Sequence, residues 1–355
     1  LKDKVKIGFV GSGFMGQKAH LDNFVTLPNC EVVALAEGRE KTARMVAQRY
    51  NIPRIYPHHR AMLSEENLDA VVAILPYTLH QAVLPDILRA KKHLLTEKPI
   101  CVQPQTARDL ANLAQENQVI YQVGYMKRFT PAVVAARSEC QAWKQHSQAG
   151  PLTYLRASMP PGDWIFRMDP PIIAEEPWPV YENEDPEGLP KELSQEIGEI
   201  YNAFVNYYIH QVNLIRFLLG EDYEVTYADP SGAMLAGRSQ SGTAVVLEMK
   251  GYGLRNDWEE TYRMVFDKGK IDLCVPAPMA RQHPGQVEIY KAFDDLATPL
   301  FERPSLPADW CFKMQAHSFV QCVKEGKPNL SPASDAVKDL EVALQYARLL
   351  GKAKG

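Results

Sequence analysis

Val5-Lys6-Ile7-Gly8-Phe9-Val10-Gly11-Ser12-Gly13-Phe14-Met15-Gly16 is the stretch on which the reading turns. Its first six residues are largely apolar and read as a short buried strand. They run directly into a G-x-G-x-x-G triplet, which opens a helical stretch from Gln17 to Leu27. Glycine triplets are weak evidence alone, but the strand before this one and the helix after it give it a context. The first glycine permits the tight turn, the second lets the backbone approach a pyrophosphate, and the third lets helix and strand pack closely. The phosphates would rest on the helix N-terminus, where unpaired N–H groups and the positive end of the dipole point. A carboxylate is expected about 20 residues further on. Glu37 stands 21 residues past Gly16, directly after a second strand. It can accept both ribose hydroxyl protons, which favours NAD. Arg39, two residues later, can pair with a 2′-phosphate, so NADP stays open.

Working outward, residues 31–36, 70–75, 93–96 and 119–123 repeat the strand texture, with helix-like stretches at 40–50, 78–90 and 104–117 between them. Strands alternating with helices of this length mean βαβ units, and near-continuous apolar strands fit a parallel sheet covered on both faces. After about residue 150 the strand-like segments 152–158, 224–228, 244–251, 262–266, 271–275 and 287–293 follow one another, the later ones across short turns. That is the texture of an antiparallel sheet. The expected class is therefore α/β: a doubly wound parallel-sheet domain over residues 1–125, then an α+β domain over 126–355 with a large, mainly antiparallel sheet. A helix over 333–350 ends the pattern, with Gly351 past its end, and is expected to pack back on the first domain.

Composition narrows the classes. At roughly 150 residues per domain, 355 residues predict two domains. Hydrophobic residues are 46% and charged ones 23%, which disfavours disorder and coiled coil. The net charge of −4 leaves no basic excess for nucleic acid. No apolar run reaches the roughly 18 residues of a membrane span. The six cysteines are scattered without a C-x-x-C pair, arguing against structural zinc or a disulfide framework and for free thiols in a reducing, cytoplasmic setting. The N-terminus enters a strand pattern at once and does not read as a signal peptide. His58-His59 has no carboxylate or cysteine partner at ligand spacing, so no metal is expected; H-E-x-x-H, G-x-S-x-G and P-loop motifs are absent too.

Three further features carry chemistry. The fourth strand ends in Glu97-Lys98-Pro99, which places a lysine at the carboxyl end of a parallel strand, where open α/β sheets bind ligands. A bound nicotinamide's positive charge would lower that lysine's pKa and ease proton exchange. Residues 193–219 read as one long helix, on which Asn202, Asn206 and His210 recur every four residues and Asn213 follows three later. These share one face. Residues 201–215 hold no charged side chain, so this amide-and-imidazole stripe is read as facing an enclosed ligand. From Asp163 to Glu199 there are eleven acids against Arg167 and Lys191, with eight prolines between 160 and 190. This stretch is read as a solvated loop, or as a lid over the second domain's face. Asp163 and Trp164 at its head are substrate-binding candidates.

These motifs together resemble the Gfo/Idh/MocA family, the glucose-fructose oxidoreductase and inositol dehydrogenase relatives. Leu75-Pro76-Tyr77-Thr78-Leu79-His80 resembles the family's segment after the third strand, with Tyr77 where Asn is common. Ala90 to Pro99 follows its approach to a catalytic lysine. Gly124-Tyr125-Met126-Lys127-Arg128-Phe129-Thr130-Pro131 is similar to its exit from the nucleotide domain. Asn206-Tyr207-Tyr208-Ile209-His210-Gln211-Val212-Asn213 resembles its D-x-G-x-H-x-x-D segment, with Asn206 and Asn213 replacing acids and Tyr208 replacing glycine.

The resemblance implies an open-faced second sheet, a homodimer or homotetramer paired through it, and a Lys98–Pro99 bond that can be cis. Lys98 and His210 would be catalytic, with Asn206 orienting substrate. Gly11, Gly13, Phe14, Met15, Gly16, Glu37, Arg39, Leu75, Pro76, Tyr77, His80, Glu97, Lys98 and Gln122 would meet the coenzyme. Lys98, Tyr125, Lys127, Arg128, Asp163, Trp164, Asn202, Asn206, His210 and Asn213 would meet a sugar or polyol. His210 as base and Lys98 as donor to the developing alkoxide suit hydride transfer from a secondary hydroxyl carbon of a sugar, glycoside or cyclitol. Two alternatives stay open: glycoside cleavage by transient oxidation, and a non-catalytic sensor of coenzyme or sugar.

Overall fold

The computed structural model describes residues 4–165, 168–179, 184–253 and 256–354. The chain does not divide at one point. A first unit gathers Leu1–Tyr125, Asp169–Pro190 and Phe312–Leu340; a second gathers Met126–Met168, Lys191–Cys311 and Glu341–Gly355.

The first unit is built on strands β1 (Val5–Val10), β2 (Cys30–Ala36), β3 (Arg54–Tyr56), β4 (Ala70–Ala73), β5 (His93–Glu97) and β6 (Tyr121–Gly124). They form one sheet in the order β3-β2-β1-β4-β5-β6, all neighbours parallel. The doubly wound sheet expected from the sequence is present. Helices connect the strands: a wide π-type helix over Gly16–Leu21 continuing into α1 (Asp22–Phe24), then α2 (Glu40–Tyr50), α3 (His59–Glu65), α4 (His80–Arg89) and α5 (Pro104–Glu116). The texture of the sequence points to neither β3 nor α3. Both are too short to show a period, and they stand on packing rather than propensity.

Register lines up the functional edge. Val10 pairs with Ala36 on one side and Ala73 on the other, Ala73 with Thr96, and Glu97 with Gly124. Gly11, Glu37, Ile74 and Lys98 therefore leave the sheet at the same carboxyl edge. β1 lies where the strand order reverses, the crevice that open α/β sheets use for ligands. Below this edge Phe9 and Phe24 meet edge-on at 5.6 Å, and Phe24 meets Phe319 at 6.4 Å. Phe319 lies on a helix over Cys311–Glu325, so the far end of the chain returns to complete the first unit's core.

In the second unit, helix α6 (Pro131–His146) precedes β7 (Leu152–Ser158), and α7 (Gln195–Tyr207) and α8 (Ile209–Leu219) precede β8 (Tyr223–Ala228), β9 (Met234–Ser239), β10 (Ala244–Glu248), β11 (Thr261–Phe266), β12 (Gly269–Cys274), β13 (Gln286–Lys291) and β14 (Leu300–Glu302). They form one sheet in the order β14-β13-β12-β11-β7-β10-β9-β8, antiparallel except where β7 and β10 run side by side in the same direction. Helices α6 and α8 pack on it. Ion pairs such as Arg156–Glu248 and Arg263–Asp272 decorate it where it is not covered. The helix at Cys311–Glu325 is α9, and α10 runs from Ala333 to Lys354.

One expectation needs correcting. The long helix over 193–219 is two helices meeting at Tyr208, whose hydroxyl donates to the Met249 carbonyl at 2.9 Å. Within the acidic stretch, residues 169–190 group with the first unit and the rest with the second. Its residues 166–167 and 180–183 lie outside the described ones. Two of its acids sit at helix ends. Glu176 accepts from the backbone N–H groups of Lys41 (3.0 Å) and Thr42 (2.7 Å) in the first turn of α2. Glu187 accepts from Val102 (2.6 Å) and Gln103 (3.3 Å) just before α5. Carboxylates are favoured at such positive ends.

Candidate coenzyme and active site

The glycine turn has the shape of a phosphate cradle. Gly11 has φ +84°, and a Cβ there would lie 2.2 Å from the Ile74 carbonyl oxygen, so only glycine fits. At Gly13 the reverse holds: a Cβ would find no atom within 4 Å. That face is open to a ligand while its neighbours are close-packed. The Gly13 carbonyl receives the Gln17 N–H at 3.0 Å, which starts the helix there. Phe14 and Met15 are half-buried and Gly16 is buried in the helix start. These residues fit a dinucleotide's pyrophosphate.

Glu37 is buried, and both its oxygens are in use. One accepts from the Ser12 N–H (3.0 Å) and Ser12 hydroxyl (2.8 Å); Arg39 reaches both, with Nε at 2.9 Å and Nη2 at 2.8 Å. Burial pushes its pKa up, but the bonds from Arg39 and Ser12 outweigh this and hold it below the usual carboxylate range. Arg39 is itself buried, with its guanidinium 4.2 Å from the centre of the exposed Trp178 ring. The expected acid and its arginine are thus a bonded pair at the end of β2.

At the end of β5 the Lys98–Pro99 peptide is cis. Lys98 is half-buried. Glu97 accepts from its own neighbour's N–H and meets His20 Nε2 at 2.7 Å. Sequence reasoning missed His20; the only signal was a histidine seven residues past Gly13, on the turn of the helix facing β5. His80 is fully buried at the start of α4, its Nδ1 donating to the Ile100 carbonyl at 2.8 Å. Burial pushes it down to about 4, against the backbone bonds that oppose the shift, so the ring is neutral at neutral pH. Leu75 and Tyr77 are half-buried and Pro76 exposed on the same edge. Gln122 is buried and donates to the Gln315 carbonyl at 3.4 Å, and Tyr125 is also buried.

In the second unit the stripe divides at the helix junction. Asn202 and His210 are half-buried and Asn206 exposed, while Asn213 turns inward and accepts from Arg128 Nε at 2.7 Å. His210 stands in the first turn of α8. Lys127 is buried against Glu260, whose other oxygen accepts from Gln211 Nε2 and the Tyr262 hydroxyl, both at 2.8 Å. Lys127 and Arg128 are therefore both buried and paired, as an unpaired cation at this depth would be costly. Gln211 and Glu260, which hold α8 beside His210, went unread in the sequence; Glu260 hid behind Glu259 as one of two acids before a strand. Asp163 accepts from the Ile165 N–H at 3.0 Å and Trp164 is half-buried. Among the described residues no group of His, Cys, Asp and Glu could hold a metal ion, and no helix is long and apolar enough to cross a membrane.

Comparison with known proteins agrees with this geometry. Residues 5–125 match the GFO_IDH_MocA profile, described as an oxidoreductase family with an NAD-binding Rossmann fold. The scyllo-inositol 2-dehydrogenase (NAD(+)) of Bacillus subtilis is 22% identical over 364 residues, covering 97% of this chain and 93% of that one. An inositol 2-dehydrogenase/D-chiro-inositol 3-dehydrogenase of Lacticaseibacillus casei is 29% identical over 139 residues, covering 38% of this chain and 40% of its own. For several of the curated relatives it matches, the alignment spans about two fifths of the relative's length. An oxidoreductase domain protein from Kribbella flavida superposes with a TM-score of 0.76 at 20% identity, over 99% of this chain and 98% of that one, which shows a shared fold.

Proposed function

Since residues 5–125 are the NAD-binding Rossmann domain of a Gfo/Idh/MocA-family oxidoreductase, we propose that this protein is an NAD(P)-dependent dehydrogenase or reductase acting on a secondary hydroxyl of a sugar, glycoside or cyclitol. The observation that carries the reading is the glycine turn: closed at Gly11, open at Gly13, and set at a helix start beside Glu37. The inositol dehydrogenases among the relatives support the substrate class.

Gly11, Gly13 and Gly16 would hold the pyrophosphate, Glu37 and Arg39 the adenosine end, and Leu75, Pro76, Tyr77, Glu97 and Lys98 the edge toward the nicotinamide. When bound, that coenzyme supplies the hydride acceptor or donor. The remaining work falls to this chain's side chains. His210 takes the proton of the substrate hydroxyl, and Lys98 donates a hydrogen bond to the oxygen as charge develops on it. Asn206 and Asn202 offer neutral donors and acceptors to the ring hydroxyls. An Asn at position 206 cannot itself take a proton, so the base role rests on His210 alone.

All six cysteines are free thiols, which supports a cytoplasmic enzyme. We take it to be a homodimer or homotetramer; light scattering reads the assembly and cell fractionation the compartment. The test of function is a screen of sugars, glycosides and inositols with NAD and NADP, following nicotinamide absorbance and product together. Reduced coenzyme formed in step with ketone supports the reading. Aglycone release without net reduction would replace it with glycoside cleavage.

A further inference from the structure

The acidic strap over residues 169–179 is attached to the first unit at three points, and those points bracket the adenosine end of the glycine turn. At one end, Ile172 exchanges two bonds with the buried Gln17 side chain: its N–H donates to Oε1 at 2.9 Å and its carbonyl accepts from Nε2 at 2.8 Å. Gln17 also donates to the Ser12 carbonyl at 2.7 Å, so this attachment is made on the glycine turn itself. In the middle, the Ala174 N–H donates to the Thr42 hydroxyl at 3.1 Å. At the other end, Glu176 accepts from the Lys41 N–H, the Thr42 N–H and the Thr42 hydroxyl, the last two at 2.7 Å. Two residues on, Trp178 covers the Arg39 guanidinium.

A ribose held at Glu37 would carry its 2′ position beside the turn between β2 and α2, because Glu37 directly follows β2 and α2 starts at Glu40. A 2′-phosphate there draws on two sources of binding: an arginine after β2, and the unpaired N–H groups of the first turn of α2. In this chain both sources are already engaged by carboxylates. Arg39 is held by Glu37, and the N–H groups by Glu176. Burial raises the Glu176 pKa, but the three bonds from Thr42 and Lys41 prevail and keep the carboxyl below its ordinary value, so it is an anion at neutral pH. An arriving phosphate dianion would meet the Glu176 carboxylate and an arginine whose charge is already paired with Glu37.

We propose that Glu176 is a coenzyme-selectivity residue: an internal anion seated where NADP would put its 2′-phosphate, so that the site takes NAD and turns NADP away. The proposal rests on the reading of this site as a dinucleotide site and assigns its coenzyme. It also gives the acidic strap a purpose, as a segment remote in sequence that carries the discriminating charge to α2.

The test is direct titration of the full chain with NAD and with NADP by calorimetry, repeated for Glu176→Gln and Glu176→Lys. Both substitutions lie on a surface strap, and circular dichroism checks that they fold. Wild type should bind NAD more tightly. Glu176→Gln should shift the ratio of the two dissociation constants toward NADP by about tenfold, and Glu176→Lys further, with most of the change in NADP. A ratio unmoved by either variant overturns the proposal and leaves the coenzyme site standing, as does a wild type that prefers NADP. Failure of wild type to bind either coenzyme overturns the site reading and this proposal with it.

Discussion

Gly11 and Gly13 stand two residues apart in the same turn, yet the structure gives them opposite sensitivities. Gly11→Ala places a Cβ 2.2 Å from the Ile74 carbonyl oxygen, at a φ of +84° that side chains rarely adopt. The left-handed conformation costs about 1–2 kcal/mol, and the overlap with fixed backbone adds about 1–3 kcal/mol. A domain of 150–250 residues loses roughly 2–4 °C per kcal/mol, so the melting temperature should fall by about 4–20 °C. Gly13→Ala meets no atom within 4 Å. Its stability should stay within about 0.5 kcal/mol of wild type. Its cost should appear on binding, where the new methyl holds the pyrophosphate off the backbone. Losing one charge-assisted hydrogen bond is worth about 1.5–3 kcal/mol, or roughly 10- to 150-fold in Kd for NAD. Thermal unfolding by circular dichroism and calorimetric titration with NAD separate the two. A Gly13→Ala protein that melts as low as Gly11→Ala, or that binds NAD like wild type, would refute the reasoning.

Other outcomes follow from the same geometry. Lys98→Ala and His210→Ala should each lower kcat by about 10²–10⁴ while NAD affinity, measured by titration, stays within about threefold; equal loss of coenzyme binding would place them elsewhere. His80 takes a proton near 6.5 when unfolded and only at about 4 when folded. The unfolded state therefore binds more protons in that window, and stability should fall as pH drops through it, by about 3 kcal/mol from this group. Urea titrations should show the slope flattened in His80→Gln. Glu260→Gln removes the charge that pairs with buried Lys127 and should cost about 3–5 kcal/mol by denaturant unfolding; a loss under 1 kcal/mol contradicts the pairing. Cys274 is the exposed thiol and the other five are buried, so a thiol reagent should label one cysteine per native chain, and Cys274→Ser should abolish that signal.

The first half of the chain was legible because its information is local. Strand β1, the glycine turn and Glu37 lie in sequence as they lie in space, and a parallel sheet buried on both faces leaves apolar runs with turn residues between them. Lys98 could be placed because a strand end fixes its edge. Reading failed where the deciding contact was distant. Nothing near Tyr208 in sequence announces the break between α7 and α8, since the Met249 carbonyl that takes its hydroxyl comes from another element. Strand β9, with Gly237 and Arg238 in its middle, lacks a clean alternation. The strap's acids look like solvated charge until the N-termini of α2 and α5 are set beside them. Lys127 and Arg128 looked ready for a ligand because their partners, Glu260 and Asn213, are 133 and 85 residues away.

The most direct measurement follows the hydride itself. The enzyme is incubated with NAD and a panel of inositols and sugars deuterated at the carbinol carbons, and the recovered coenzyme is weighed by mass spectrometry. The account predicts reduced coenzyme carrying one deuterium for at least one polyol, formed at least about a hundredfold more slowly with His210→Ala. Ketone or eliminated product appearing with the deuterium washed into water, and none on the nicotinamide, would contradict it.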